Sequence, residues 1–172
     1  LSAKEIAAMH TAWDEFEVSE NQTWDVAGKC EFLPCIESPI LFEFLPALLG
    51  DAIKLESLKG RSPKPDYGLQ GLHVDTVGPV KPGEQILANA FWILDEMSRE
   101  NGATRLVPGS HKTYSVPAGN YAQPNGKHPN EIYISANPGD LLLFSAHLWH
   151  SGSRNESGTR RRVVIAQFRR RK

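Results

Sequence analysis

Near the start of the chain, apolar residues recur at the spacing of an amphipathic helix, and polar residues mark where that helix begins. Ser2 and Glu5 can form a capping box, in which each side chain accepts a hydrogen bond from the other residue's backbone N–H. A second helix is predicted to begin at Ser38, because serine is a frequent N-cap and the proline after it fits the first helical position. Pro46 should disturb this helix, which is expected to end near Gly50.

From residue 53 to residue 168 the pattern changes to short apolar strands separated by Gly, Pro and Asn. The longest apolar stretch, residues 84–95, carries one polar residue in its middle, Asn89. Helices followed by strands predict an α+β or mainly β fold, with the helices packed outside a sandwich or barrel. We expect one domain over residues 1–172, with helices in about residues 1–50 and the barrel in about residues 53–168.

Composition and charge exclude several functional classes. Hydrophobic residues make up 40% of the chain and charged residues 23%, which is ordinary for a globular domain. The formal net charge of −1 provides no overall field for nucleic acid or an anionic membrane, and the arginine-rich end is interpreted as solvated. Cys30 and Cys35 are too few for a disulfide scaffold. We therefore expect a cytoplasmic monomer or homodimer that binds neither nucleic acid nor a membrane.

Three residues have the types and spacing of a metal site. His73 and Asp75 are two residues apart, so on a β-strand both side chains point to the same face, and His150 can approach from another strand. Two imidazoles and one carboxylate leave three positions of an octahedral ion open, as in ferrous oxygenases. His147 is three residues before His150 and is expected to face the other way. The alternative is that His73 and Asp75 form an ordinary polar strand edge.

Further motifs follow this H-x-D sequence in a specific order. They are Asn101-Gly102, Pro108-Gly109-Ser110-His111 and Gly139-Asp140, the last of these ten residues before His150. Over about residues 38–168 the chain resembles the phytanoyl-CoA dioxygenase family of iron(II)- and 2-oxoglutarate-dependent oxygenases. The resemblance implies a double-stranded β-helix, also called a jelly roll or cupin-type barrel.

The resemblance also implies an activity. Its cofactors are Fe(II), 2-oxoglutarate as cosubstrate and O2, with His73, Asp75 and His150 as the catalytic metal ligands. The expected reaction is hydroxylation of an unactivated C–H bond of a small-molecule or acyl substrate, with release of succinate and CO2. Related halogenases have Ala or Gly at the position of Asp75, so the carboxylate favours hydroxylation or desaturation over halogenation.

One arginine is implied as the anchor of the cosubstrate. The family places it eleven residues after the distal histidine, which is Arg161 here, and a guanidinium matches a carboxylate with two parallel hydrogen bonds. Alternation then predicts two faces for this strand. Arg161, Val163, Ile165 and Gln167 point inward, and Val164, Ala166 and Phe168 pack beneath the helices. The alternative is that Arg160, Arg161 and Arg162 are all surface charges.

Four other residues are candidates for the cosubstrate pocket. They are Asn89, Phe91, Gln70 and Leu55, each of which could equally have a core or loop role. Many relatives carry Ser two residues after the distal histidine, whereas this chain has Gly152, so no serine is assigned to the site. Residues 113–130, rich in Gly, Pro and Asn, are expected to form a mobile loop that covers the mouth of the barrel and selects the substrate.

Two other functions stay open on the sequence alone. One is a non-catalytic cupin-type domain that binds a metal or ligand. The other, motivated only by the arginine-rich C-terminus, is an oxygenase acting on nucleic acid. An intact ligand set together with Arg161 argues against the first, and the near-neutral net charge argues against the second.

Overall fold

A computed structural model describes residues 1–15, 23–76, 81 and 84–171. Three α-helices and eight strands alternate with three short 3-10 helices at Cys30–Phe32, Ser110–Lys112 and Gly119–Ala122 within these residues. In chain order they are α1 (Ala3–Asp14), β1 (Thr23–Asp25), α2 (Pro34–Glu37), α3 (Pro39–Leu49), β2 (Ile53–Arg61), β3 (Leu87–Ile93), β4 (Thr104–Leu106), β5 (Ile132–Tyr133), β6 (Leu141–Ser145), β7 (His150–Gly152) and β8 (Val163–Arg170).

The strands form two antiparallel sheets. The larger sheet has the order β1-β2-β8-β3-β6, and the smaller has the order β5-β4-β7. One apolar core joins the helices to the outer face of the larger sheet, and a second core, which includes Phe91, Leu106 and Phe144, fills the space between the sheets. This arrangement confirms the expected double-stranded β-helix with helices packed outside.

The helices begin where the sequence predicts. In the capping box of α1 the backbone N–H of Ser2 donates to Oε2 of Glu5 at 2.7 Å, and the N–H of Glu5 donates to Oγ of Ser2 at 3.3 Å. Pro46 does not interrupt α3, which continues to Leu49 and ends at Gly50, where φ is +77°. With ψ at −178° this is not the usual αL helix end but a backbone conformation that is essentially restricted to glycine.

Close packing joins the helices to the sheet. Trp13 of α1 is buried over Gly60 of β2, where an added Cβ would lie 2.7 Å from the indole ring. No side chain fits between this helix and the sheet at that point. No single helix among the described residues is long and apolar enough to cross a membrane, although the bent pair Cys30–Glu37 and Pro39–Leu49 passes on length and composition.

Two local features differ from the regular strands expected from the sequence. The H-x-D segment is not a full strand, because His73 makes only an isolated bridge to His150, with reciprocal backbone hydrogen bonds of 3.0 and 3.1 Å. In β2, the pairing with β8 shifts by one residue between Leu55 and Ser57. Such a bulge reverses the alternation of side chains on one side of the irregularity.

Candidate metal centre

The three candidate ligands converge at one end of the space between the sheets. Ligand atoms of His73, Asp75 and His150 all lie within 4.8 Å of one another. Nε2 of His150 is 3.3 Å from Oδ2 of Asp75, and Nε2 of His73 is 3.7 Å from Oδ1. Neighbouring ligand atoms around an octahedral ion with bonds of about 2.1 Å lie about 3 Å apart, so small adjustments suffice to bring all three to one ion.

Backbone carbonyls fix the orientation of both imidazoles. Nδ1 of His73 is 3.0 Å from the carbonyl oxygen of Gly71, and Nδ1 of His150 is 2.8 Å from that of Leu148. Since a carbonyl only accepts, each Nδ1 carries the proton and each Nε2 presents a lone pair to the shared space. This is the protonation state that a metal ligand requires.

The carboxylate is held in its charged form by its neighbours. Burial alone would raise the pKa of Asp75, but the hydrogen bond and charge that His150 provides when it is protonated, together with a hydrogen bond from Asn89, lower it to about 2. Nδ2 of Asn89 donates to Oδ2 at 2.6 Å, and Nε2 of Gln167 donates to the Oδ1 of Asn89 at 3.1 Å. For His73, burial and then the charge of His150 lower the pKa, which favours the neutral imidazole.

A cavity of about 200 Å³ opens beside these ligands. Strands β1, β2, β8, β3, β4 and β7 contribute to its wall, together with the H-x-D segment. Its lining residues are Thr23, Ser57, Lys59, Arg61, Gln70, His73, Asp75, Phe91, Thr104, His150, Ser151, Gly152, Arg161, Val163, Ile165 and Gln167. The inward face predicted for residues 161–167 therefore lines the cavity, while Val164, Ala166 and Phe168 belong to the core beneath the helices.

Arg161 is buried in this wall with few partners. Its side chain is 2% exposed, and Nη2 donates to the carbonyl oxygen of Gly102 at 2.6 Å. Nε is buried without a hydrogen bond, and no ion pair with Arg161 is found in the part of the chain that the structure describes. Burial, and then the charge of Arg61, lower its pKa to about 9, so at neutral pH it is a cation, and among the described residues only the charge of Asp95 acts in its favour. An unpaired buried cation is expensive unless a ligand neutralises it.

The other cosubstrate candidates have different positions. Phe91 and Gln70 line the cavity, and Oε1 of Gln70 accepts a hydrogen bond from the backbone N–H of Gly152 at 3.3 Å. Asn89 is fully buried but contacts Asp75 and Gln167, so it supports the metal ligand and is not among the lining residues.

Leu55, a candidate for the cosubstrate pocket from the sequence, lies elsewhere in the structure. Its side chain is 37% exposed and does not line the cavity, because the bulge in β2 pairs Leu55 with Phe168, on the face opposite to the cavity. Beyond the bulge, the inward positions of β2 are Ser57, Lys59 and Arg61. Lys59 and Arg61 were not predicted as site residues, although strict alternation from Ser57 places both of them inward.

Gly152 departs from the family pattern for a steric reason. An added Cβ would lie 2.5 Å from the carbonyl oxygen of Gly68, so a serine cannot be placed there without moving the backbone. The same Cβ would lie 3.5 Å from Nη2 of Arg61 and from Oε1 of Gln70. A guanidinium and an amide therefore border the position that a side chain at residue 152 would occupy.

His147 and the long loop lie outside the cavity wall. Nδ1 of His147 is 3.1 Å from the hydroxyl of Thr76, and His147 does not belong to the ligand cluster. No residue from 113 to 130 lines the cavity. Instead, the carbonyl oxygen of Tyr121 accepts a hydrogen bond from the N–H of Leu72 at 3.0 Å, so the loop packs against the segment that carries His73. His128 of this loop packs against Tyr121 and Trp149.

Taken together, the fold and the convergent His-Asp-His cluster define a double-stranded β-helix protein with a candidate mononuclear metal site. The chain belongs to the phytanoyl-CoA dioxygenase family, whose model, described as "Phytanoyl-CoA dioxygenase (PhyH)", matches residues 59–163. The chain is 33% identical over 125 residues to dioxygenase cnsJ of Penicillium expansum, and this match covers 67% of the chain and 36% of the relative. It is 27% identical over 133 residues to dioxygenase af480 of Aspergillus fumigatus, covering 76% of the chain and 42% of the relative. The chain thus spans less than half the length of these curated relatives.

Solved structures share the fold at lower identity. HygX from Streptomyces hygroscopicus, solved with nickel and 2-oxoglutarate bound, superposes with a TM-score of 0.81 at 16% identity, covering 99% of this chain and 79% of HygX. The epimerase SnoN, solved with Fe3+, alpha-ketoglutarate and nogalamycin RO, has a TM-score of 0.77 at 18% identity, covering 99% of this chain and 76% of SnoN. Both confirm the double-stranded β-helix.

Proposed function

We propose that this protein is an iron(II)- and 2-oxoglutarate-dependent oxygenase that hydroxylates an unactivated C–H bond of a small-molecule or acyl substrate. The observation that carries the proposal is the meeting of two Nε2 atoms and one ionised carboxylate at a cavity whose wall also holds an unpaired buried arginine. HygX and SnoN, which share this fold, were each solved with a metal ion and 2-oxoglutarate or its synonym alpha-ketoglutarate. Bound iron would supply the oxidising chemistry, using 2-oxoglutarate and O2.

The residues of this chain provide binding, orientation and a partly apolar enclosure. His73, Asp75 and His150 would hold the ion through one face and leave the other positions open. Asn89 and Gln167 keep the Asp75 carboxylate in place through the hydrogen bonds described above. No side chain is needed as a nucleophile or general base, because the bound groups carry the reactive chemistry.

Arg161 would anchor the far carboxylate of 2-oxoglutarate. Among the described residues its Nε and Nη1 have no hydrogen-bond partner, so the guanidinium keeps donors for a carboxylate. Ligand binding would also neutralise the buried charge. Phe91, Val163 and Ile165 would give the cosubstrate an apolar wall between the two ends.

The test combines metal binding with product analysis. The wild-type protein should bind one Fe(II) or Ni(II) per chain and, with iron and 2-oxoglutarate, release succinate that contains one oxygen atom from labelled O2. Asp75→Ala should lose both metal binding and succinate release while keeping the wild-type circular dichroism spectrum, because Asp75 belongs to neither apolar core. His128→Ala, which removes an imidazole outside the cavity, is the matched control and should retain both.

Two results would contradict the proposal. Full activity in Asp75→Ala would remove the carboxylate from the ligand set. Stoichiometric metal and 2-oxoglutarate binding without any succinate, tested across a library of small metabolites, would instead favour the non-catalytic cupin-type binding domain.

A further inference from the structure

The cavity wall carries more positive charge than the proposed cosubstrate accounts for. Three of the lining residues are cations, Lys59, Arg61 and Arg161, and Asp75 is the one acidic residue among the lining residues that the structure describes. With iron and 2-oxoglutarate bound, three side-chain cations and a divalent ion would face one carboxylate and the two negative charges of the cosubstrate. A surplus of two positive charges would remain in a cavity that is partly closed to water.

In this count of charges, Arg61 is the lining cation for which neither the metal ligands nor the proposed cosubstrate provides a partner. No hydrogen bond or ion pair of its guanidinium is found within residues 1–15, 23–76, 81 and 84–171, although the side chain is only partly exposed. Across the sheet it lies opposite Thr23 of β1 on one side and Val163 of β8 on the other, so a hydroxyl and a guanidinium border the same part of the wall. Its Nη2 atom lies beside Gly152, where a Cβ would be 3.5 Å away.

The three cationic side chains that line the cavity differ in their exposure to solvent. Lys59 is exposed, Arg61 is intermediate and Arg161 is buried, and the first two lie opposite Ile165 and Val163 in the register of β2 with β8. A ligand that enters from solvent therefore meets Lys59 first and Arg61 next. Cations lining a cleft raise the local concentration of anions and accelerate their association.

We infer that the primary substrate carries an oxyanion, a carboxylate or a phosphate, which Arg61 binds with help from Lys59 and Thr23. This inference rests on the proposed function, because the charge surplus is counted with metal and cosubstrate in place. Arg161 at the buried end serves 2-oxoglutarate, and Arg61 and Lys59, nearer to solvent, serve the substrate. A planar guanidinium suits both oxyanions, since each accepts two parallel hydrogen bonds.

The test uses three ligands that differ only in the head group. Hexanoate, hexyl phosphate and the uncharged hexanamide are titrated by calorimetry into protein loaded with Ni(II) and saturated with 2-oxoglutarate, so that they cannot take the cosubstrate position. At least one of the two anions should bind about tenfold or more tightly than hexanamide, the size expected of a charge-assisted hydrogen-bonded pair. Comparison of the two anions identifies the head group.

Single substitutions show which side chain causes the preference for an anion over the amide. Arg61→Gln should abolish the difference between anion and amide while leaving the affinity for 2-oxoglutarate within about threefold of wild type. Lys59→Gln, at an exposed position that cannot endanger the fold, should reduce the difference in the same direction. Lys64→Gln removes an exposed charge outside the cavity and should leave the difference unchanged.

Several outcomes would overturn the inference. They are equal binding of all three ligands, failure of both anions to bind, and an Arg61→Gln variant that loses 2-oxoglutarate affinity but keeps the anion preference. The last result would assign Arg61 to the cosubstrate. Failure of the wild-type protein to bind Ni(II) or 2-oxoglutarate is a different result, since it would overturn the proposed function itself.

Discussion

Two buried arginines, Arg105 and Arg161, have the same low exposure of 2% but opposite surroundings. Nε of Arg105 donates to Oγ of Ser151 at 2.6 Å, and its terminal nitrogens donate to backbone carbonyls of Gln70 and Gly126 at 2.7 and 2.8 Å. Glu131, whose side chain is 7% exposed, lies 3.3 Å away as its counterion. Arg161 has one hydrogen bond, to a carbonyl, and an unbonded Nε.

The two arginines differ in how many of their donors are used by the protein. Arg105 has a full set of partners, whereas Arg161 keeps donors that a ligand could use. Arg105 has a counterion and a partner for each nitrogen, so nothing is left to bind. Its bonds to Gln70 and Ser151 reach the chain three residues before His73 and one residue after His150, so it ties both histidine-bearing segments together. Within the described residues Arg161 keeps a charge and donors unsatisfied beside a cavity, an arrangement that costs stability and that is common at functional sites.

Loss of Arg105 should give the largest effect on folding. Arg105→Met leaves Glu131 as a buried unpaired charge and should lower the free energy of unfolding by about 3–5 kcal/mol. Urea denaturation followed by circular dichroism measures this change. The control is Arg99→Met, which removes an exposed cation 4.8 Å from the ring centroid of Tyr133 and should cost under about 1 kcal/mol. Equal stability of Arg105→Met and wild type would show that Glu131 readily reaches water.

Loss of Arg161 should affect the binding of 2-oxoglutarate and should not lower the stability of the fold. Arg161→Met should weaken 2-oxoglutarate binding by about 2–5 kcal/mol, because a buried charge-assisted pair with the cosubstrate can no longer form. Its free energy of unfolding without ligand should equal or exceed that of wild type, since the unpaired cation is replaced by an apolar side chain. Calorimetric titration of the Ni(II) protein and urea denaturation give the two values.

Substitution of the two arginines next to Arg161 tests which side chain of residues 160–162 points into the cavity. Arg160→Met and Arg162→Met should leave the affinity for 2-oxoglutarate nearly unchanged, because Arg160 pairs with Asp14 and Arg162 donates two hydrogen bonds to Asp95 at 2.8 and 2.9 Å. If either variant lost the cosubstrate and Arg161→Met kept it, the inward face of β8 would be assigned wrongly.

A smaller effect than the loss of Arg105 or Arg161 is expected for Asn89, a fully bonded group next to the metal ligands. Asn89→Ala removes the hydrogen bond to Asp75 and should lower metal affinity about 10–100-fold, as loss of a supporting contact commonly does. Competition with a chelator measures the affinity. Asn137→Ala, at an exposed turn on the same molecule, is the control and should leave the affinity unchanged. Unchanged metal affinity in Asn89→Ala would mean that Gln167 alone holds the carboxylate.

The sequence predicted those features that depend on local periodicity or a specific motif. The capping box of α1, the inward face from Arg161 to Gln167 and the gathering of His73 with His150 all follow from such patterns. It failed for Leu55, because a one-residue bulge in β2 is set by pairing with a distant strand and leaves no mark in the local alternation. Arg61 was missed for a different reason, because alternation from Ser57 places it inward but no motif marks it as a site residue.

Contacts between residues far apart in the chain could not be predicted from the sequence either. Arg105 sits in a segment that resembles a family motif, but its partners come from residues 70, 126, 131 and 151, which are brought together only by the fold. Likewise, composition identified residues 113–130 as a loop but gave no sign of what they contact. A short polar strand such as Thr23–Asp25 has too few residues to show any period.

Gly71 has a consequence for anyone who would alter the specificity of this protein by exchanging its loop. A Cβ at Gly71 would lie 2.0 Å from the carbonyl oxygen of Ala122, so loop and H-x-D segment touch backbone to backbone two residues before His73. Gly126 makes a similar approach to Asn120 and offers its carbonyl to Arg105. A grafted loop from a relative must reproduce this glycine-sized fit. Otherwise the exchange shifts a metal ligand, and a chimera made to change selectivity would lose its iron instead.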